Sequence, residues 1–276
     1  MKPIPIIFIH RGNSPYLAHT IGQVRRLNPQ SPIYLLGDSA NAGQEFVRHV
    51  DLAGLDEGAA ELRRVYRHLS TNGERYERFC FERWFCLRDF MRREGLELVF
   101  HMDSDVLLYV NVDDEHRLWS DFEMTLVCGV CPGNMYLRRE ALEGLCEIIM
   151  SFYTNPEKYR EVEAFYLDRQ ARGLPGGVCD MTAIKQYFLA NRPRMGEMEQ
   201  VIAGSTYDAN IHRSDGYEMR PEGIKAIWFE NDRPLGRLLS SGESVFFKSL
   251  HFQGGAKKHI EPHARQLVGQ PTTTSS

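Results

Sequence analysis

The chain has 276 residues, 42% of them hydrophobic and 25% charged, an ordinary globular composition long enough for one large core. A formal charge of −4 leaves no basic surplus for nucleic acid or an anionic membrane as a general partner. No run reaches the roughly 20 apolar residues of a membrane span.

The apolar start is short, is interrupted by Pro3 and Pro5, and has no small-residue cleavage site after it, so it reads as a first core strand over 4–10. His10-Arg11-Gly12-Asn13 forms the following loop. Ser14 is placed to cap the next helix, with Pro15 at its first position and Leu17, Ile21, Val24 and Leu27 at helical spacing. A second strand over 32–36 closes at Gly37-Asp38. Strand, helix, strand in that order points to a parallel α/β sheet.

A helix is expected over 59–69 and a longer one over 74–94, with Tyr76, Cys80, Trp84, Leu87 and Met91 as its apolar stripe and Gly95 as its stop. The run 96–102 is almost wholly apolar and reads as a strand buried on both faces. Further strands are expected over 124–127, 134–137, 225–229 and 245–252, and helices over 139–153, 159–172 and 180–189. The aromatic residues Trp84, Phe85, Trp119 and Trp228 read as core. No internal repeat is present, so one domain is expected over 1–268, followed by a disordered polar tail over 269–276. Six cysteines at irregular spacing, without an export signal, suggest reduced thiols and a cytoplasmic setting. Cys128 and Cys131 have the spacing of half a zinc site, but no second pair accompanies them.

Chemistry concentrates where the strand over 96–102 stops at Asp103-Ser104-Asp105. Ionised carboxylates at the end of a buried strand need partners or a cation, and a divalent metal at the carboxyl edge of a sheet supplies one. Near the other end of the chain His251 leaves a second apolar strand, followed by Gly254, Gly255, Lys257 and Lys258. An imidazole is a natural third ligand beside two carboxylates, glycine amides can approach phosphate oxygens closely, and a lysine adds positive charge. Arg83 also belongs near the acids. From Gly95 back to Arg83 a helix covers roughly 18 Å, and from Gly95 forward to Asp103 a strand covers roughly 26 Å before twist shortens it. Its cation there would either bind an anionic substrate or neutralise the carboxylates. His10, Arg11, Asn13 and Asp38 follow the first two strands, so their loops should border the crevice at the same sheet edge.

These motifs resemble those of GT-A nucleotide-sugar glycosyltransferases. Asp103-Ser104-Asp105 is similar to that superfamily's Asp-x-Asp motif, and His251-x-x-Gly254-x-x-Lys257 resembles the late His-x-x-Gly-x-x-Lys element of the glycogenin-like family 8 enzymes. Lys258-His259 stands where that family usually has Pro-Trp. The resemblance implies a single-domain, Rossmann-like α/β fold with a mainly parallel central sheet flanked by helices. It implies Mn2+ or Mg2+ on Asp103, Asp105 and His251, with the donor nucleotide diphosphate against Asp103, Ser104, Gly254 and Lys257. The base and ribose would lie near His10, Arg11, Asn13 and Asp38. Asp180 would take a catalytic position, and Arg83, from its level near the acids, is the second catalytic candidate. The implied activity moves a sugar from a nucleotide diphosphate donor, expected to be UDP, to a glycan or other hydroxylated acceptor. Two alternatives stay open: a metal-dependent sugar-phosphate phosphatase, and a non-catalytic nucleotide-sugar binding protein.

Overall fold

The computed structural model describes residues 2–265. The expected tail over 269–276 and the boundary at 268 lie outside the described residues. In chain order the first half holds β1 (Ile6–Ile9), α1 (Leu17–Leu27), β2 (Ile33–Gly37), β3 (Arg48–Asp51), α2 (Glu57–Val65), α3 (Glu74–Arg93), β4 (Leu98–Met102), β5 (Val106–Leu108) and α4 (Val112–Glu115). The second half holds β6 (Met124–Leu126), β7 (Asn134–Arg138), α5 (Arg139–Thr154), α6 (Pro156–Ala171), α7 (Asp180–Ala190), β8 (Met195–Glu197), β9 (Ser205–Tyr207), β10 (Trp228–Glu230), β11 (Arg233–Arg237), β12 (Ser244–His251) and α8 (Ile260–Arg265).

Seven strands form the main sheet in the order β3-β2-β1-β4-β7-β6-β8. Four neighbouring pairs are parallel and two, both involving β7, are antiparallel, so the expected mainly parallel sheet is present. Alternation along β1 explains its apolar run. Ile7 and Ile9 pack with α2, α3, α5 and α7 on one face, while Ile6 and Phe8 pack with α1 on the other. Each such side chain contributes about 1.5–3 kcal/mol on burial.

A second sheet, β10-β11-β12-β5 with β9 also beside β12, was not anticipated as a unit. Its position decides where the site lies. The chain leaves the main sheet at Met102 and enters the second at Val106, so Asp103, Ser104 and Asp105 are the crossover between two sheets. β12 then pairs antiparallel with β5 in a register that sets His251 opposite Val106.

Several local expectations are corrected. Ser14 does not cap α1, which begins at Leu17 after Tyr16. The Ser14 hydroxyl instead meets His10 Nε2 at 3.1 Å, and its carbonyl accepts from Leu17. The helix expected over 59–69 runs Glu57–Val65 and stops early, because the backbone turns extended at Tyr66 and the Leu69 carbonyl accepts from Val178 in the loop before α7. The stripe of α3 is Phe81, Trp84, Phe85, Leu87, Phe90 and Met91, whereas Tyr76 is 66% exposed because the first turn of the helix overhangs a cleft. The strand expected over 225–229 is Trp228–Glu230, and Lys225 lies outside it with its ammonium group buried. Among the described residues no helix is long and apolar enough to cross a membrane.

Candidate active site

The crossover loop is held from both sides. Asp103 N–H donates to the Gly133 carbonyl at 2.7 Å, and Phe252 N–H donates to the Asp105 carbonyl at 2.9 Å. Thr20 of α1 donates its hydroxyl to the Ser104 carbonyl at 2.9 Å, and the Ser104 hydroxyl meets His10 Nδ1 at 2.9 Å. Strand pairing thus brings His251 Nε2 to 3.3 Å from Asp105 Oδ1, with Lys257 Nζ 3.2 Å from Asp105 Oδ2. Ligand atoms of Asp103, Asp105 and His251 all lie within 4.8 Å of one another. They are the one group of His, Cys, Asp and Glu side chains found among the described residues that could hold a metal ion. Two carboxylates and an imidazole suit Mn2+ or Mg2+ in donor chemistry.

Arg83 reaches the acids as the helix and strand lengths predict. Its guanidinium forms one ion pair with Asp103 Oδ1 at 2.6 Å and another with Asp180 Oδ2 at 2.8 Å. Burial alone would lower the Arg83 pKa, but Asp103 and Asp180 outweigh it and raise it. Burial likewise opposes ionisation of Asp103, yet Arg83 and then His101 hold its carboxyl well below the usual range. Both observations describe a cation neutralising carboxylates, one of the two roles foreseen for Arg83. Asp180 opens α7 and is buried. Trp84 Nε1 also donates to its Oδ2 at 3.1 Å, and Met181 N–H donates to its Oδ1 at 2.9 Å.

A cleft of about 540 Å³ opens over this cluster. His10, Arg11, Arg83, Asp103, Ser104, Asp105, Asp180, His251, Gly254 and Lys257 line it. Asn13 and Asp38 do not. Asp38 accepts from the Gly12 and Ala40 amides with its two carboxylate oxygens, and Asn13 accepts from Gln44, so both tie neighbouring loop segments together. Arg11 lies at the rim, over the Phe79 ring and 3.3 Å from Glu82.

Several participants had no site role assigned from the sequence. His101, wholly buried in mid-strand, donates from Nδ1 to the Ile7 carbonyl and sits 3.7 Å from Asp103 Oδ1. A histidine inside an apolar strand two residues before the acids was the available signal. Cys131 is a free thiol 3.5 Å from His251 Nδ1, and Gln253 Nε2 lies 3.4 Å from the same nitrogen. Behind β12, Asp208 accepts from the His251 amide at 3.0 Å and from the buried Lys225 at 2.7 Å. Lys225 also meets Asp215 at 2.9 Å, so the ammonium is fully paired.

The architecture aligns with the apo structure of mouse xyloside xylosyltransferase 1 at a TM-score of 0.50 and 12% identity, over 74% of this chain and 88% of that one. The chain has a GT-A-type glycosyltransferase fold. Weaker alignments to the same fold type include the galactosyltransferase LgtC in complex with donor and acceptor sugar analogues (TM-score 0.46, 13% identity, 98% of each chain). Another is the bifunctional glycosyltransferase WbbM (TM-score 0.48, 12% identity), of whose length this chain spans half while 98% of it is aligned. The sequence matches no protein-family model and no curated protein. In the GT-A-type fold seen here, the crossover between the two sheets is where the acids and the histidine meet.

Proposed function

We propose that this chain transfers a sugar from a nucleoside diphosphate donor, expected to be UDP, to a hydroxylated acceptor with the help of Mn2+ or Mg2+. The observation that carries this reading is the convergence of Asp103, Asp105 and His251 beside Lys257 on one cleft wall. Those three side chains would hold the cation, which when bound supplies Lewis-acid stabilisation of the diphosphate. Transfer breaks the bond from the anomeric carbon to a diphosphate oxygen, which leaves with the electron pair. The acceptor oxygen forms the new bond, and its proton is released to solvent.

The protein's own groups meet the charge that develops. Lys257 is partly exposed, so it can leave Asp105 and take a phosphate oxygen as charge grows there, an effect of several kcal/mol in a water-poor site. Gly254, at φ +55°, opens the turn that carries Lys257. Arg83 keeps Asp103 ionised and fixes Asp180, whose carboxylate borders the cleft where a sugar or acceptor hydroxyl would lie. His10 and Arg11 border the same cleft on the side of β1, in position for the base or ribose.

The test is a panel of nucleotide sugars with Mn2+, reading thermal stabilisation and nucleoside diphosphate release. A donor at a hundred times its Kd should add about 2.7 kcal/mol of stability. Excess chelator or Asp105→Ala should abolish both signals without unfolding the chain. Full turnover in chelator refutes the metal-dependent reading. Phosphate release from sugar phosphates without transfer points to a phosphatase, and donor binding with neither hydrolysis nor transfer to a binding protein.

A further inference from the structure

A second cleft, of about 630 Å³, opens beside the first and shares Tyr76, Cys80, Asp180 and Met181 with it. Helices α6 and α7 supply much of its wall. Nine large hydrophobic side chains are exposed among the described residues, and four of them stand around this one opening: Tyr76 at 66%, Phe165 at 43%, Met181 at 44% and Leu189 at 59%. Single exposed apolar residues need no explanation, but a cluster beside a candidate active site does. A second observation lies in the same cleft. Glu77 lines it and is 2% exposed; its Oε1 accepts from Asn72 at 2.6 Å, while its Oε2 is buried with no hydrogen-bond partner. A buried carboxylate oxygen left in this state is costly, and a hydroxyl donor would relieve it.

We propose that this second cleft is the acceptor subsite and that the acceptor is a hydroxylated molecule with an apolar, aromatic or alkyl, body. The apolar body lies against Phe165, Met181 and Leu189, and one hydroxyl donates to Glu77. The reacting hydroxyl is left at Asp180, where the two clefts join. The volume is that of a small-molecule pocket, and continuity with the donor cleft through Asp180 argues for a substrate and against a protein partner. This inference rests on the transferase reading above.

Calorimetry on the full chain with MnCl2 and UDP present separates the two claims, using p-nitrophenyl and methyl glycosides of glucose, galactose and xylose as probes. At least one p-nitrophenyl glycoside should bind about tenfold or more tighter than its methyl counterpart, the gain expected from burying an aromatic ring. The double variant Phe165→Ser/Leu189→Gln, altered only at exposed positions, should lose that advantage and keep its affinity for UDP. Equal binding of the two glycosides, no glycoside binding at all, or an advantage that survives in the double variant overturns the acceptor inference. So does a concentration-dependent dimer that the double variant abolishes, which would assign the patch to a second copy of the chain. Failure of UDP to bind with Mn2+ instead removes the transferase reading itself.

Discussion

The backbone of Gly133 lies against the imidazole of His251: a Cβ placed on the glycine would stand 2.7 Å from both Cε1 and Nδ1 of the ring. The same glycine accepts the Asp103 amide through its carbonyl. One residue without a side chain therefore spaces two of the three candidate ligands. The His251 ring is 3% exposed and flanked by Cys131 and Gln253, so it cannot swing away freely. Gly133→Ala should reduce Mn2+ affinity about 10- to 100-fold, as losses of ligand-orienting contacts do, while the circular dichroism spectrum stays native. Unchanged affinity in a calorimetric Mn2+ titration would mean that the ring position does not govern binding.

Arg83 bridges Asp103 and Asp180, whose side chains are 21% and 6% exposed. Arg83→Gln leaves two carboxylates without their shared cation. The expected cost is about 3 kcal/mol, at the lower end of the range for broken buried pairs because Asp103 is partly solvated. Added Mn2+ should recover part of that loss by supplying charge at Asp103. Urea denaturation with and without Mn2+ measures both, and a midpoint equal to wild type would show the triad to be energetically idle.

Metal affinity should depend on pH through His251. Burial disfavours its charged ring, but the hydrogen bond to Asp105, and then Cys131, outweigh that and raise its pKa well above the ordinary value. A ring that retains its proton to higher pH must release it before binding a cation, so affinity rises with pH and falls as pH falls. The rise should continue above the pH at which an ordinary imidazole has lost its proton, accompanied by proton uptake into buffer. Calorimetry in two buffers of different ionisation enthalpy detects that proton. His251→Asn should flatten the profile; a profile flat already in wild type rules the linkage out.

Glu77 titrates in the opposite sense for stability. Burial, partly offset by the Asn72 hydrogen bond and reinforced by the Asp180 charge, raises its pKa. The folded state therefore binds the Glu77 proton more tightly than the unfolded chain does. This contribution is present below about pH 4, near the unfolded value, and is lost as pH rises through the folded pKa. Glu77→Gln cannot titrate, so its Tm relative to wild type should increase between pH 4 and pH 7. Thermal unfolding of both proteins at stepped pH reads that trend. A difference that shrinks with pH contradicts the assignment.

What could be read ahead of the structure follows a physical pattern. The strands β1, β2 and β4 are buried on both faces, so continuous apolar runs announced them. The helices α3, α5 and α7 carry long apolar faces and were legible for the same reason. The strand β3, Arg48–Asp51, is polar and half exposed at the sheet edge, and β9 and β11 are short or interrupted by proline and glycine, so periodicity was too weak to mark them. In the site, Asp103, Asp105 and His251 stood out because polar ligand groups leave the ends of apolar strands, Arg83 because helix and strand lengths put it near the acids, and Lys257 and Asp180 through the family resemblance. Gly133 and Asp208 did not, since nothing in their immediate sequence distinguishes them from loop and turn residues; Cys131 was marked only by its spacing to Cys128, and Lys225 only as the start of an expected strand.

Local chemistry along the chain determined that this protein has an α/β core and that acids near position 100 and an imidazole near position 250 leave the ends of strands. Those features depend on neighbours within a few residues, where backbone geometry and side-chain period act. Only the tertiary structure decided that β12 pairs with β5 in the register that faces His251 toward Asp105, and that Arg83 joins Asp103 to Asp180. That register arises from hydrogen bonds and packing between segments far apart in the chain, which no local pattern encodes.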